Sequence, residues 1–291
     1  MTVPLRLPPT LAALAWFTCA PWALGCAPRP AENPAASAET SEDVSGAAMR
    51  IVSIIPSAIE LLFAVGAGDS VVARSVHCDF PPESRALPSI GSGLDPNLEA
   101  IFALRPTLVV ASEMQADSPA LRSLRAAGVD VLTLPDQSVA GVETALETLG
   151  ARLDRVAEAS VIVESMRSRL AAVRALPPFE PTPRVVVAID TDPLFAAGAE
   201  SWIGDLVAIA GGENVVAGVW VQVDDETLIS LAPSHIVHGA RAPEDLDEWQ
   251  RFTTVPAVSD RRICAIDPDL IARPGPRVAE AAEQIGACLR R

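Results

Sequence analysis

Between Pro135 and Pro177 the chain holds no proline, and its apolar and small residues recur at steps of three and four. Val142, Ala145, Leu146, Leu149, Leu153, Val156, Ser160, Val163, Met166, Leu170 and Val173 fall on one face of an α-helix. Glu143, Glu147, Arg152, Asp154, Glu158, Arg167 and Arg169 fall on the other. The spacing predicts one helix over 140–177, on the order of 50 Å long at about 1.5 Å per residue. That is too long for one small α/β unit, so it reads as a spine between two halves. Two helices broken near Gly150 inside one large domain are the alternative.

On both sides of this stretch the pattern changes to short apolar runs. Before it, strands are expected over 50–55, 71–73, 107–111 and 129–134, with helices over 58–65 and 119–127 and Ser57 able to cap the first. After it, strands are expected over 184–189, 235–238 and 262–266, with helices over 201–210, 225–231, 244–252 and 278–289 and a loop over 193–198. Strands alternating with helices argue for mostly parallel sheets. The predicted fold is α/β with two lobes, each a mostly parallel sheet with flanking helices, joined by one long rigid helix. The lobes are 50–139 and 178–291, and 140–177 links them. A stiff linker predicts small motion of the lobes relative to one another.

The first 49 residues follow neither period. Arg6 precedes an apolar run from Leu11 to Leu24, which ends in Ala23-Leu24-Gly25-Cys26. A basic start, a short apolar core and small residues before a cysteine look like a bacterial lipoprotein signal over 1–25, with Cys26 lipidated. An ordinary secretory signal is the alternative. Residues 26–49 are rich in Ala, Pro, Ser and Glu and read as a flexible tether. The expected place is the periplasmic or extracytoplasmic face of a membrane, held by lipid alone. Of five cysteines, Cys78, Cys264 and Cys288 then remain in an oxidising compartment. A Cys264–Cys288 disulfide and buried free thiols both stay open. The net charge of −15 disfavours nucleic acid as a partner. There is no lysine and no tyrosine.

Three segments carry a resemblance. RIVSIIPSAIELLFAVG (Arg50–Gly66), HCDFPPESRALPSIGS (His77–Ser92) and DPNLEAIFALRPTLVVAS (Asp95–Ser112) follow one another as in the periplasmic binding proteins that deliver iron chelates, haem and cobalamin to ABC importers. PLFAAGAESWIGDLVAIAGGENV (Pro193–Val215), Trp220-Val-Gln-Val with Glu226, and DPDLIARPGPRVAEA (Asp267–Ala281) resemble the second half of that family, most of all its cobalamin members. Thr107 stands for a usual aspartate and Val221 for a usual proline. The resemblance implies two lobes joined by a rigid helix, a corrinoid held between them, and delivery to a permease and ATPase complex by a monomer. Haem or a ferric siderophore is the runner-up ligand; the absence of tyrosine, a frequent haem-iron ligand, weakens haem.

Ligand contacts are expected on loops after strands. From the first lobe these are Ser57, His77, Cys78, Phe80 and Ser92; from the second, Phe195, Trp202, Trp220, Asp269 and Arg273. Aromatic rings suit a flat macrocycle, and Asp269 and Arg273 suit its polar edge. For Trp202, within an apolar helix pattern, core packing competes with ligand contact. His77 or Cys78 is able to ligate a metal inside the chelate, but a lone pair makes no metal site, and no resident metal or cofactor is expected. His235 and His238 are placed on one strand face and read as structural. Glu99 and Glu226 open matching helices in the two halves, and the resemblance implies that they face the permease. No Ser-His-Asp spacing, phosphate loop or dense ligand cluster points to an enzyme.

Overall fold

Ile51–Ser53 (β1) and Leu108–Ser112 (β3) are buried at every position, as parallel strands covered on both faces should be. In the computed structural model, which describes residues 48–291, they form the centre of a four-stranded parallel sheet. Its order is β2-β1-β3-β4, with β2 at Val71–Arg74 and β4 at Val131–Leu134. The expected signal over 1–25, the lipidation of Cys26 and nearly all of the tether over 26–49 lie outside the described residues. Helices α1 (Pro56–Ala64), α2 (Leu98–Ala103) and α3 (Pro119–Ala126) connect these strands. The N-cap of α1 is Ile55; Ser57 lies inside its first turn, so the expected cap is not made.

The single long helix is not formed. The chain makes α4 (Val139–Arg152) and α5 (Val156–Arg174), with Leu153 as the C-cap of α4 and Asp154 at φ 56° between the two helices. Arg167 pairs with Glu143 at 2.8 Å and with Glu147 at 3.4 Å, and Gly150 lies against Ala159. Falling residue numbers on α4 meet rising ones on α5, so the helices form an antiparallel hairpin. The longest element is therefore α5, whose 19 residues reach about 28 Å at 1.5 Å each. Gly150 allows the close approach: a Cβ there would stand 2.6 Å from Ala159 Cβ.

The second sheet runs β10-β9-β5-β6-β8, with β7 (Glu213–Asn214) also on β5. Strands β5 (Arg184–Thr191), β9 (His235–Gly239) and β10 (Ile263–Ile266) are parallel; β6 (Leu194–Ala197) and β8 (Trp220–Gln222) are antiparallel. The loop expected over 193–198 is thus largely strand β6. Helices α6 (Trp202–Ile209), α7 (Asp225–Leu231), α8 (Pro256–Ser259), α9 (Pro268–Ala272) and α10 (Val278–Leu289) complete this lobe, with a 3-10 segment at Pro243–Arg251. His235 and His238 are three positions apart on β9 and face opposite sides, which corrects their placement on one face. His238 Nδ1 accepts from Trp249 Nε1 at 3.1 Å, and His235 Nδ1 lies 3.0 Å from Ser234 Oγ. Cys264 and Cys288 form a disulfide between β10 and α10.

One apolar cluster joins the lobes: Ile51, Leu62 and Leu108 of the first share it with Leu146, Met166 and Leu170 of the hairpin and with Val185, Leu206 and Ile285 of the second. Two further clusters cover the other faces of the two sheets. The hairpin thus seals both lobes from one side. Among the described residues no helix is long and apolar enough to cross a membrane.

Candidate functional site

Residues beyond the carboxyl ends of β1, β2 and β3 are tied together by hydrogen bonds that leave apolar side chains facing out. Arg74, at the end of β2, donates to the carbonyls of Ser84, Ser75, Val76 and Arg85, which folds residues 75–85 around its guanidinium. The Val76 amide donates to the Gly91 carbonyl at 2.8 Å. Gln115 Nε2 donates to the Gly93 carbonyl at 2.8 Å. A Cβ at Gly93 would stand 2.5 Å from the Ile54 carbonyl oxygen, so only glycine lets this loop lie across the end of β1. The result is a rim of exposed side chains: Val76, His77 and Phe80, Leu94 at 88 % and Met114 at 66 %. Exposed apolar residues clustered at one edge mark a binding surface. Val76, Leu94 and Met114 were not expected; their only sequence signal is an apolar residue inside a polar turn segment.

The second lobe supplies charge and aromatic area. Phe195 on β6 stands opposite Gln222, and Trp220 on β8 opposite Ala197. The two rings are therefore diagonal neighbours on one face of the ribbon, within reach of one another. Arg241 Nη2 donates to Asp269 Oδ2 at 2.9 Å, joining the loops after β9 and β10. Arg273 Nη2 meets Asp269 Oδ1 at 3.0 Å and Asp79 Oδ1 of the first lobe at 2.7 Å. Arg277 holds Glu60 of α1 in a two-pronged pair, Nε to Oε2 at 2.9 Å and Nη2 to Oε1 at 2.7 Å. Its guanidinium also lies 4.0 Å from the centroid of the Phe80 ring. An alternating chain of charges thus bridges the lobes.

The Glu60 side chain is 1 % exposed. Burial pushes its carboxyl above the usual range, against the opposing pull of Arg277 and Arg273. At Asp79 burial acts in the same sense, but the Arg273 guanidinium outweighs it and holds that carboxyl below its usual value. Arg273 Nη1 is buried with no hydrogen-bond partner; it lies 3.6 Å from Glu60 Oε1, a charge contact and not a hydrogen bond.

Of the expected ligand residues, the structure brings Phe80, Asp269 and Arg273 into one network. Asp269 and Arg273 are engaged with each other and with neighbours, so they are not free groups. His77 is exposed. Cys78 is fully buried with Sγ 3.1 Å from Ser75 Oγ, and burial pushes its thiol up, so it does not face the cleft. Ser57 is also buried, and Ser92 Oγ accepts from the Leu94 amide, serving the loop. Trp202 is 1 % exposed within the cluster shared by the lobes, where a ring of its size packs α6. Core packing accounts for it, and ligand contact does not. No group of three or more potential metal ligands occurs among the described residues.

Glu99 and Glu226 sit in one repeated arrangement. Each is the second residue of its helix, α2 or α7, and each helix is capped by an acceptor side chain, Asn97 or Asp224. Each helix leads to a left-handed residue before proline, Arg105 at φ 47° and Ala232 at φ 42°. Arg50 Nε donates to the Leu104 carbonyl at 2.9 Å, and Arg184 Nη2 to the Leu231 carbonyl at 2.8 Å. The Arg50 amide donates to Thr107 Oγ1 and the Arg184 amide to Ser234 Oγ, both at 2.9 Å. Thr107 therefore fills the role that Ser234 fills in the other lobe. Three residues beyond each glutamate an apolar side chain is exposed, Phe102 at 39 % and Ile229 at 47 %.

The model of the periplasmic binding protein family matches residues 51–270, which span both sheets. An ABC transporter substrate-binding lipoprotein of Bacillus subtilis (strain 168), YvrC, itself uncharacterized, is 31 % identical over 249 residues, covering 81 % of this chain and 78 % of that one. A vitamin B12-binding protein of Yersinia pestis (strain Pestoides F) is 28 % identical, over 82 % of this chain and 85 % of its own. Among solved structures, the periplasmic heme-binding protein RhuT of Roseiflexus sp. RS-1 in apo form superposes with a TM-score of 0.73 at 26 % identity, covering 83 % of this chain and 97 % of that one.

Proposed function

This chain belongs to the periplasmic binding protein family, and we propose that it is the substrate-binding component of an ABC importer whose ligand is a corrinoid. The observation that carries this reading is the likeness to a vitamin B12-binding protein along 82 % of the chain, through both lobes. The geometry agrees with it. A corrinoid has a flat body and a periphery of amides. The first-lobe rim of Val76, Leu94, Met114 and the Phe80 ring provides apolar area for such a body, and Phe195 and Trp220 provide it from the second. With Cys78 buried, His77 is the one of the pair that is exposed to a metal carried in the chelate.

On this reading the lipid on Cys26 tethers the protein to the membrane, and Glu99 and Glu226 dock on the permease. Their matched settings support a partner that presents two equivalent basic sites. The exposed Phe102 and Ile229 beside them give each contact an apolar flank. Haem is the second ligand reading, supported by the likeness to RhuT and opposed by the absence of tyrosine.

Titration of the purified protein with cyanocobalamin, haemin and a ferric hydroxamate, followed by absorbance and calorimetry, tests the reading. Saturable one-to-one binding of cyanocobalamin in preference to the others is expected. Preference for haemin would transfer the protein to the second reading, and binding of none would end both.

A further inference from the structure

The buried carboxylate of Glu60 lies outside the rim, yet it anchors two arginines that reach it. Arg277 and Arg273 come from the segment around α9 and the start of α10 in the second lobe, whereas Glu60 is on α1 of the first. Beyond Glu60 the same two guanidinium groups go on to meet the ligand-facing loop of the first lobe and the α9 carboxylate. Arg277 stacks on Phe80 at 4.0 Å, and Arg273 binds Asp79 at 2.7 Å and Asp269 at 3.0 Å. Phe80 and Asp79 are consecutive, so two adjacent side chains of one loop are each held by an arginine, and both arginines are held by one anion. Such an arrangement is costly unless every charge is paired, because a buried carboxylate without partners is strongly unfavourable. Glu60 is compensated twice, and the fold carries that compensation from the opposite lobe.

We propose that Glu60 is a positioning residue of the ligand cleft, which through Arg277 and Arg273 fixes the Phe80 ring and the Asp79 carboxylate of one lobe against the closing segment of the other. The inference rests on the reading that the ligand lies between the lobes. One face of Phe80 is covered by Arg277, which leaves the other for the ligand. The ring is thereby presented in a fixed plane, and ordering it on binding costs little further entropy. Arg273 and Asp269 act in the same way on the edge of the cleft: they set its width and are not spent on the ligand. Asp79 also faces Arg85 at 3.9 Å and Asp269 faces Arg241 at 2.9 Å, so the outer ends of the network are closed.

The test is a thermodynamic cycle on the full chain with cyanocobalamin, and with haemin in parallel. Glu60→Gln keeps the size of the side chain and removes its charge. Groups that hold a contact residue from behind typically matter by about tenfold or more, so a loss of that order is expected, carried in a faster off-rate. In a Phe80→Leu background the part of that loss that runs through the ring should vanish, leaving the part that runs through Asp79, so the same substitution should cost less than it does in the wild type. Full additivity of the two losses, or wild-type affinity in Glu60→Gln, overturns the proposal. If Glu60→Gln is unfolded by circular dichroism, Asp79→Asn takes its place, since it cuts the outer leg of Arg273 at a partly exposed carboxylate; unchanged affinity in that variant also overturns the proposal. Wild-type protein that binds neither probe sinks the ligand reading and this inference with it, whereas wild-type binding with unaffected variants sinks the inference alone.

Discussion

A methyl group added at Gly150 separates a helix hairpin from a continuous helix by the sign of its effect. In an exposed helix interior, replacing glycine by alanine stabilises by about 0.5–1 kcal/mol. In the hairpin the added Cβ would stand 2.6 Å from Ala159 Cβ and 3.0 Å from the Arg155 carbonyl oxygen. Carbon atoms in good contact are about 3.5–4.0 Å apart, so α4 and α5 must separate by about an ångström. Neither neighbour is the end of a flexible side chain able to swing away. Overpacking of this kind costs about 1–3 kcal/mol, which leaves a net loss of up to about 2.5 kcal/mol after the gain in propensity. For a chain of this size each kcal/mol lost lowers the melting temperature by roughly 2–4 °C. Thermal unfolding of Gly150→Ala, Ala159→Gly and the double variant, followed by circular dichroism, reads it directly. The double variant should recover part of the loss, because the new methyl occupies the space of the one removed. A higher melting temperature in Gly150→Ala, or strict additivity in the double variant, would refute the hairpin contact.

Replacing Cys264 and Cys288 by serine opens a loop whose ends are 24 residues apart, which should cost about 3 kcal/mol and appear as a lower melting temperature without a change in ligand affinity at 25 °C. Leu94→Ser with Met114→Ser should weaken ligand binding by about tenfold or more while stability stays within about 0.5 kcal/mol, since both side chains are exposed in the free protein; an equal fall in stability would mark them as packing residues. Glu99→Ala with Glu226→Ala should leave ligand titrations intact and abolish uptake through the permease in cells, and normal uptake would remove the docking role.

The strands of the first sheet and helix α10 were legible because buried parallel strands and an amphipathic closing helix each write a local pattern. The break after Arg152 was not. The three-and-four spacing runs on through Leu153 and Val156, because each helix of the hairpin needs an apolar face of its own and the turn happens to keep the phase. What ends α4 is the left-handed Asp154 and the approach of Ala159 to Gly150, neither of which changes the count of apolar positions. Strand β6 was missed for a related reason. Four residues after a proline carry little period, and its pairing with β5 and β8 supplies what its own sequence lacks. In the candidate site, Phe80 was legible from its loop and from the resemblance. The partnership of Glu60 with Arg277 was not, because 217 residues separate them and no local pattern records a contact of that span.

Small lobe motion is expected from a single strut; the strut is split in two, and what replaces it gives a separate reason to predict the same. The lobes share one apolar cluster, and the Glu60–Arg277 pair is buried where they meet. Rotating them apart far enough to wet that pair exchanges its hydrogen bonds for hydration and exposes the shared apolar cluster at about 25 cal/mol per Å², so the apolar area carries the cost. A conformer a few kcal/mol above the ground state is populated at roughly 0.1–10 %, so a wide opening is rare in the free protein. On the proposed function, a ligand therefore enters a cleft that is largely formed, past the exposed rim of Val76, Leu94 and Met114, and little closure remains to be made. Release meets the same barrier from the other side. A partner can shift that balance only by binding the opened form more tightly than the closed one. On the proposed docking, the matched positions of Glu99 and Glu226, one on each lobe, are where such a difference would arise, because contacts at both ends change together only when the lobes move apart.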